Sequence, residues 1–501
     1  MANTVPFGPT EARGILQRAW QHPRWFLEEL LGCRPWEKQV TILEALRHQK
    51  EVAVKSCHGI GKDWIAARAV LWWLFVHQPA LVVTTGPTDR QVVGILWKEI
   101  NAAHTASRIP FGGRVLTQEL QLGPHRWALG FTAGDKSPTD FQGWHSPNIL
   151  VIVDEACGVS AEIYDAIDSL LSSSNARKLE IGNPTDPAST FARSFRTSGI
   201  HKISINAFES PNFTAFGITE RDIEEHTWEA KITGPLPYPE LTTPEWVAKR
   251  YERWGPRNPL YQSRVLAQFP VQGEDTLIPI AHIEAAQERT LAPSGRVMLG
   301  VDVARKGSNW SVIAQRQGPV LRIHRRWSKC DTMESTGYVR MAMQDLGAEG
   351  AVIDGVGLGG GVVDRLLELG TPGIFEFNGG IPAIDPERFA NRRAECYWMI
   401  REAAENGELD LDPLDEDLAA QLSAIRWKPT SKGQVAIESK DDMASRGVAS
   451  PDDADAASMT YHGATTAPAI LSSGTRQAAA ALRDQHRGRR RSVKQSVNRY
   501  Y

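Results

Sequence analysis

Residues 51–63, Glu-Val-Ala-Val-Lys-Ser-Cys-His-Gly-Ile-Gly-Lys-Asp, join a short strand, Glu51–Val54, to a glycine-containing loop and then to a helix, Trp64–Val76. Strand, loop and helix in that order is the context a phosphate-binding loop requires. In such a loop successive backbone N–H groups converge on phosphate oxygens, and the helix N-terminus adds a favourable dipole. Ser56, Cys57, His58, Gly59, Ile60, Gly61, Lys62 and Asp63 are therefore the candidate nucleotide-binding residues. Lys62 would reach the β- and γ-phosphates. Two positions depart from the usual pattern: Ser56 replaces the customary first glycine, and Asp63 stands where Ser or Thr normally helps to hold Mg2+. A carboxylate also ligates Mg2+, but it repels nearby phosphates. Taken alone, the loop also reads as an ordinary glycine-rich turn.

Downstream, Ile149–Val153 is an apolar run that delivers Asp154 and Glu155. A buried strand ending in an acidic pair is the second half of a nucleotide-hydrolysing site. Asp154 would hold Mg2+, directly or through water, and Glu155 would orient and activate the attacking water. Strands are also expected at Ala80–Thr85, Trp127–Thr132 and Lys178–Ile181, with helices at Asp89–Ala103 and Ile163–Leu171. This alternation implies an α/β domain with a mainly parallel sheet.

The chain has 501 residues, and one core rarely grows beyond roughly 250–300 residues, so two large domains are expected. Hydrophobic residues make up 42% and charged residues 23%, an ordinary globular balance. The net charge of -3 means that any nucleic-acid contact must come from local patches. Cys33, Cys57, Cys157, Cys330 and Cys396 are scattered and form no CxxC pair, which fits a reducing compartment and argues against zinc. The most apolar stretch, Ala69–Val76, is too short to cross a membrane, and the N-terminus lacks a signal-peptide layout. An intracellular protein is expected.

Residues 1–50 read as a helical segment leading into a motor domain over 51–272, followed by a linker over 273–290. A second domain is expected over 291–468, and a basic, disordered tail over 469–501. The second domain opens with Arg296–Val303, Ser311–Arg316 and Val320–Trp327, spaced as consecutive antiparallel strands. A helix (Thr332–Leu346), a strand (Ala351–Asp354), a helix (Val362–Leu369) and a long helix (Ala390–Asn406) follow, and Ala454–His462 is a final helix.

Aspartates fall at telling places in this half. Asp302 lies in the first strand, Asp354 ends a later one, and Asp452, Asp453 and Asp455 open the last helix. That order suggests a ribonuclease-H-like fold, a mixed sheet that gathers such carboxylates at one edge. Phosphodiester hydrolysis can use two Mg2+ or Mn2+ ions about 3.5–4 Å apart, each held by carboxylate oxygens. A lone strand-end aspartate is usually solvated; the ordered set is the stronger signal. The glycine-rich GVGLGGG after Asp354 is no dinucleotide fingerprint, because no phosphate loop or ribose-binding acid accompanies it.

The loop, VIVDEA and LEIGNPTD, in this order, resemble the ATPase of phage terminase large subunits. GVDVARKGSNWSVI, VIDGVGLGGGVVDRL, FANRRAECYWMI and ESKDDMASRGVASPDDADA are similar to successive blocks of the terminase nuclease. The resemblance runs from about Trp25 to His462. It implies a P-loop ATPase domain with a mainly parallel sheet joined to a ribonuclease-H-like nuclease domain. In that family Asn183 would sense the γ-phosphate, Trp36 would pack near the adenine and Gln39 would hydrogen-bond its edge, although plain helix packing explains Trp36 equally well. Thr85-Gly86-Pro87-Thr88 with Arg90 and Gln91 matches a further family motif. Asp302 and Asp354 carry over as metal ligands and catalytic carboxylates; Asp452 and Asp455 match best for the remaining place, with Asp453 a neighbouring alternative. Lys440 would contact a DNA phosphate or a carboxylate.

The implied activity is ATP-driven movement of double-stranded DNA into a capsid, with metal-dependent cutting of concatemers. The implied cofactors are ATP and Mg2+, with Mn2+ an option at the nuclease. The implied partners are DNA, a portal protein, a small terminase subunit and further copies in a ring, in the host cytoplasm. An arginine finger is expected, and the sequence does not single one out. The basic tail would bind DNA by counterion release, dock on the portal, or only solubilise. The alternatives are an ATP-dependent helicase–nuclease of repair or recombination, which would unwind strands, and a scaffold with inactive sites.

Overall fold

The computed structural model describes residues 9–133, 144–270, 275–304 and 310–462. The expected tail, residues 273–274 of the linker and residues 305–309 lie outside them.

Eight strands form the first sheet among the described residues: β1 (Glu51–Ser56), β2 (Ala80–Gly86), β3 (Arg114–Val115), β4 (Glu119–Gly123), β5 (Arg126–Thr132), β6 (Asn148–Asp154), β7 (Asn175–Gly182) and β8 (His201–Ile205). Their spatial order is β3-β4-β5-β2-β6-β7-β1-β8. The pairs from β5 across to β8 are parallel, and β3–β4 and β4–β5 are antiparallel. Alternate residues of the central strands feed two cores: Val82, Leu150 and Ile152 on one face, Val83, Val151 and Val153 on the other. Burial on both faces explains their near-continuous apolar runs. The helix Lys62–Val76 covers one face. Ile65 through Leu74 are all buried, so its sequence shows no polar stripe. Trp20, on the helix Pro9–Gln21, stacks on its Trp72 at 5.1 Å.

The stretch 205–270 resolves into short helices, including Pro211–Thr214, Pro244–Trp254 and Pro259–Arg264. Ser210, Thr243 and Asn258 cap their N-termini, and each has a proline in the first turn. Residues 280–288, expected to be linker, form the helix Ile280–Glu288. Ile280, Ile283 and Ala286 are buried at helical spacing, which ties the segment to the core.

The second sheet contains β9 (Val297–Asp302), β10 (Ser311–Gln317), β11 (Val320–Trp327), β12 (Gly350–Asp354) and β13 (Ile374–Phe377) in the order β11-β10-β9-β12-β13. The first three are antiparallel; β12 and β13 join in parallel. It is the mixed sheet that the sequence led us to expect. The helix Asp452–Met459 lies across β9 and β10. Its start falls two residues before the expected one, because Asp452, Asp453 and Asp455 in its first turn complement the helix dipole. A Cβ on Gly300 of β9 would lie 2.0 Å from the Ala456 carbonyl oxygen, so only glycine lets this helix settle on the sheet. β4, β8, β13, the helix Glu416–Ala424 and the hairpin β14 (Trp427–Pro429) and β15 (Val435–Ile437) were not expected. Among the described residues, no helix is long and apolar enough to cross a membrane.

Candidate functional site

Two clusters of chemistry-bearing side chains form, one at each sheet. At the first, β1, β7 and β6 are adjacent, and their C-terminal ends carry the loop, Asn183 and the Asp154–Glu155 pair respectively. The carboxyl edge of a parallel sheet is where such folds bind ligands. Asn183 Nδ2 donates to the Ser56 carbonyl at 2.7 Å, joining the β7 end to the loop. Cys57 N–H donates to the Ile205 carbonyl and His58 N–H to the Arg264 carbonyl, both at 2.8 Å. Thr242 closes the other side: its N–H donates to Gly59, and its hydroxyl to the His58 carbonyl. Gly61, with φ 75°, forms the N-cap of the helix that begins at Lys62. The loop is thus bent before any ligand arrives.

Lys62 Nζ lies 2.7 Å from Glu155 Oε1 and 4.0 Å from Asp63 Oδ2. Burial opposes its charge, but Asp63, Glu155 and Asp154 outweigh burial and hold the ammonium above the usual lysine range. Burial, with the carboxylates of Asp63 and Glu155 beside it, pushes the Asp154 carboxyl well above the ordinary range. Glu155 goes the other way: the Lys62 ammonium outweighs burial and keeps it ionised. Its backbone is left-handed, with φ 44°, a conformation uncommon for a residue with a side chain. Asp154 Oδ1 is buried and accepts no hydrogen bond. An orphaned carboxylate oxygen beside a lysine-bearing loop fits a divalent cation bound with a triphosphate. The Ser56 hydroxyl is likewise buried without a partner.

Trp36 and Gln39 touch the loop from behind. Trp36 Nε1 donates to the Ile60 carbonyl at 3.2 Å, and Gln39 Nε2 to the Gly61 carbonyl at 3.2 Å. Both side chains are buried and pin the loop's backbone. Gln91 donates to Glu288 Oε1 at 2.7 Å. Sequence reasoning missed the groups around this cleft: Thr242, Arg264, Glu284 and Glu416. Glu284, pushed up by burial, senses both Arg264 and Glu155. No local pattern marks these residues, because Thr242 comes from a loop and Arg264, Glu284 and Glu416 from three separate helices.

At the second sheet, β9 and β12 are parallel neighbours and end at Asp302 and Asp354. Asp452 and Asp455 reach the same region from the helix Asp452–Met459. Lys440 draws them together: its Nζ lies 2.9 Å from Asp455 Oδ2, 3.5 Å from Asp302 Oδ2 and 3.9 Å from Asp452 Oδ1. Asp455 Oδ1 also accepts from Tyr397 at 2.7 Å and from Arg393. Burial pushes Asp302 up to about 7, against the pull of Lys440 and with that of the neighbouring aspartates. Asp354 is also raised, chiefly by burial, and its Oδ1 accepts the Val356 N–H. Asp453 points elsewhere: it takes Arg326 and Gln421, not Lys440. Among the described residues, no three acidic, His or Cys side chains are spaced around a metal-sized gap. The carboxylates surround an ammonium instead. The donor set is of hard carboxylate oxygens, the chemistry that suits Mg2+ or Mn2+.

A parallel sheet with a phosphate-type loop and an acidic strand end shares one chain with a mixed sheet gathering aspartates, which defines an α/β protein with two candidate sites. The chain resembles terminase large subunits. It is 25% identical over 439 residues to the probable terminase large subunit of Enterobacteria phage P7, covering 83% of this chain and 85% of that protein. No known family profile matches it. Among solved structures, the large terminase of bacteriophage HK97 aligns with 86% of this chain and 95% of its own, at 13% identity and a TM-score of 0.34. The nuclease domain of the large terminase subunit gp2 of bacterial virus Sf6 aligns with 37% of this chain and 98% of its own, at 22% identity and a TM-score of 0.33.

Proposed function

We propose that this chain is a phage DNA-packaging terminase large subunit, in which ATP hydrolysis at the first sheet drives double-stranded DNA into a capsid and the second sheet cuts concatemeric DNA. The observation that carries the reading is the meeting of Lys62, Asp154, Glu155 and Asn183 at the ends of three adjacent parallel strands. ATP would lie against the loop, with Lys62 on its terminal phosphates. Asp154 and Asp63 would hold Mg2+, which supplies charge neutralisation during phosphoryl transfer. Glu155, kept ionised by Lys62, would orient the attacking water and accept its proton. Trp36 and Gln39 support the reading by fixing the loop in shape.

At the second site Asp302, Asp354, Asp452 and Asp455 would hold Mg2+ or Mn2+, which supply an activated water and stabilise the leaving oxygen. Lys440 would yield its place to the metal and turn to a DNA phosphate. Asp453 would brace the helix through Arg326. A portal protein, a small terminase subunit and further copies of the chain are the proposed partners, and the host cytoplasm the proposed setting.

Phosphate release from ATP and plasmid cleavage, measured separately on wild type, Lys62→Ala and Asp302→Ala, test the assignment. Each substitution should abolish only its own activity. ATP turnover retained by Lys62→Ala would remove the motor from this site, and strand unwinding would point to a helicase–nuclease.

A further inference from the structure

The nucleotide cleft has a second cation besides Lys62. Arg264 ends the helix Pro259–Arg264, and its carbonyl accepts the His58 N–H at 2.8 Å, so its backbone is fixed to the phosphate loop. Its guanidinium contributes to keeping Glu155 ionised. Yet both terminal nitrogens are taken. Nη1 donates to Glu416 Oε1 at 3.1 Å, and Nη2 lies 3.6 Å from Glu284 Oε1.

Neither carboxylate belongs to the first sheet's elements. Glu284 stands on the helix Ile280–Glu288, and Glu416 opens the helix Glu416–Ala424 of the second half. The other oxygen of Glu416 pairs with Arg250, which sits over Trp246 at 4.7 Å; Trp246 in turn stacks on His58. The neighbouring Asp417 takes Trp254 Nε1 and Arg253. The helix Pro244–Trp254 therefore reaches the loop at one end and the Glu416 helix at the other.

We propose that Arg264 is the in-chain cation that contacts the transferring phosphoryl group, and that Glu416, from the nuclease half, holds it in reserve until nucleotide competes it away. The inference rests on the ATPase reading above. Developing charge on a phosphoryl group calls for a mobile guanidinium fork, and a triphosphate offers Arg264 stronger acceptors than one carboxylate. Release of Glu416 would loosen the contact between the halves, so nucleotide occupancy would be felt at the nuclease side.

The test is steady-state ATPase and nucleotide affinity of the full chain. Arg264→Ala should lower kcat by about 10³-fold or more, with nucleotide Kd changed only a few-fold. Arg264→Lys, which keeps charge and fold but lacks the fork, should lower kcat at least about tenfold at similar KM. Glu416→Gln should raise kcat without DNA several-fold, while Arg250→Gln, which leaves Arg264 paired, should not. Mixing Lys62→Ala with Arg264→Ala protein should restore nothing, since the arginine serves its own chain. Either Arg264 variant turning over within threefold of wild type, or activity restored by mixing, would overturn the in-chain role. An unchanged or lower kcat for Glu416→Gln would overturn the reserve. A wild-type chain that binds no ATP would instead defeat the ATPase reading itself.

Discussion

The Lys62 ammonium and the Glu155 carboxylate lie 2.7 Å apart. The contact joins the residue expected to bind phosphate with the one expected to activate water, and each holds the other charged. A bound γ-phosphate would draw Lys62 away and leave Glu155 free to accept a proton. Glu155→Gln should then lower phosphate release by about 10²-fold or more while nucleotide binding persists. Lys62→Ala should lose binding as well, in a fluorescent-nucleotide titration. Turnover within twofold of wild type in Glu155→Gln would end its assignment as the base.

Asp63 tests the irregular loop. Its carboxylate lies 4.0 Å from Lys62 and adds to the charge that raises Asp154. If it ligates Mg2+, Asp63→Ser should shift the Mg2+ concentration for half-maximal ATPase by about tenfold. An unmoved midpoint would make it a bystander.

The two helix aspartates Asp453 and Asp455 should separate cleanly, with Asp302 as reference. Asp302→Ala and Asp455→Asn should abolish Mn2+-dependent plasmid cleavage. Asp453→Asn removes the charge that pairs with Arg326, which keeps Asp415, so it should cost about 1–3 kcal/mol of stability and spare much of the cleavage. Gel assay and thermal melting read the two effects. Cleavage lost in Asp453→Asn without a change in melting temperature would move the ligand to Asp453.

Gly300→Ala places a methyl 2.0 Å from the Ala456 carbonyl oxygen. The carboxylate helix must shift, at a cost of roughly 1–3 kcal/mol. Cleavage should fall more than ATPase, because only the second site moves. Equal losses would mean general unfolding.

Acid should act through His77 and His462. Burial, aided by Arg177 and Arg392 respectively, pushes each imidazole down to about 4. Arg392 Nε donates to His462 Nδ1 at 2.8 Å, a bond that needs the neutral ring. Between the ordinary histidine value, about 6.5, and about 4, the unfolded chain binds these protons and the folded chain does not. Their share of stability is therefore complete above about pH 6.5 and is lost as pH falls toward 4. Asp302, pushed up to about 7, acts in the opposite sense. The histidine share is thus read as a difference: melting temperature should fall less steeply with acid in a His77→Gln, His462→Gln variant. Parallel curves would refute it.

The sequence by itself determined the local motifs. Apolar runs buried on both faces announced the parallel strands, and glycines between strand and helix announced the loop. The acidic residues at strand ends and the change of pattern after residue 270 announced two kinds of sheet. These are short-range consequences of side-chain spacing and backbone freedom. Only the tertiary structure decided which neighbours those residues have. Gln39 turned to the Gly61 carbonyl, Asp453 was drawn off by Arg326, and Lys440 took the centre of the aspartates. Arg264 met Glu416 across 152 residues of chain. A charged side chain in a half-buried cleft goes to the strongest opposite charge within reach, and reach is set by how whole helices pack, which no local pattern records.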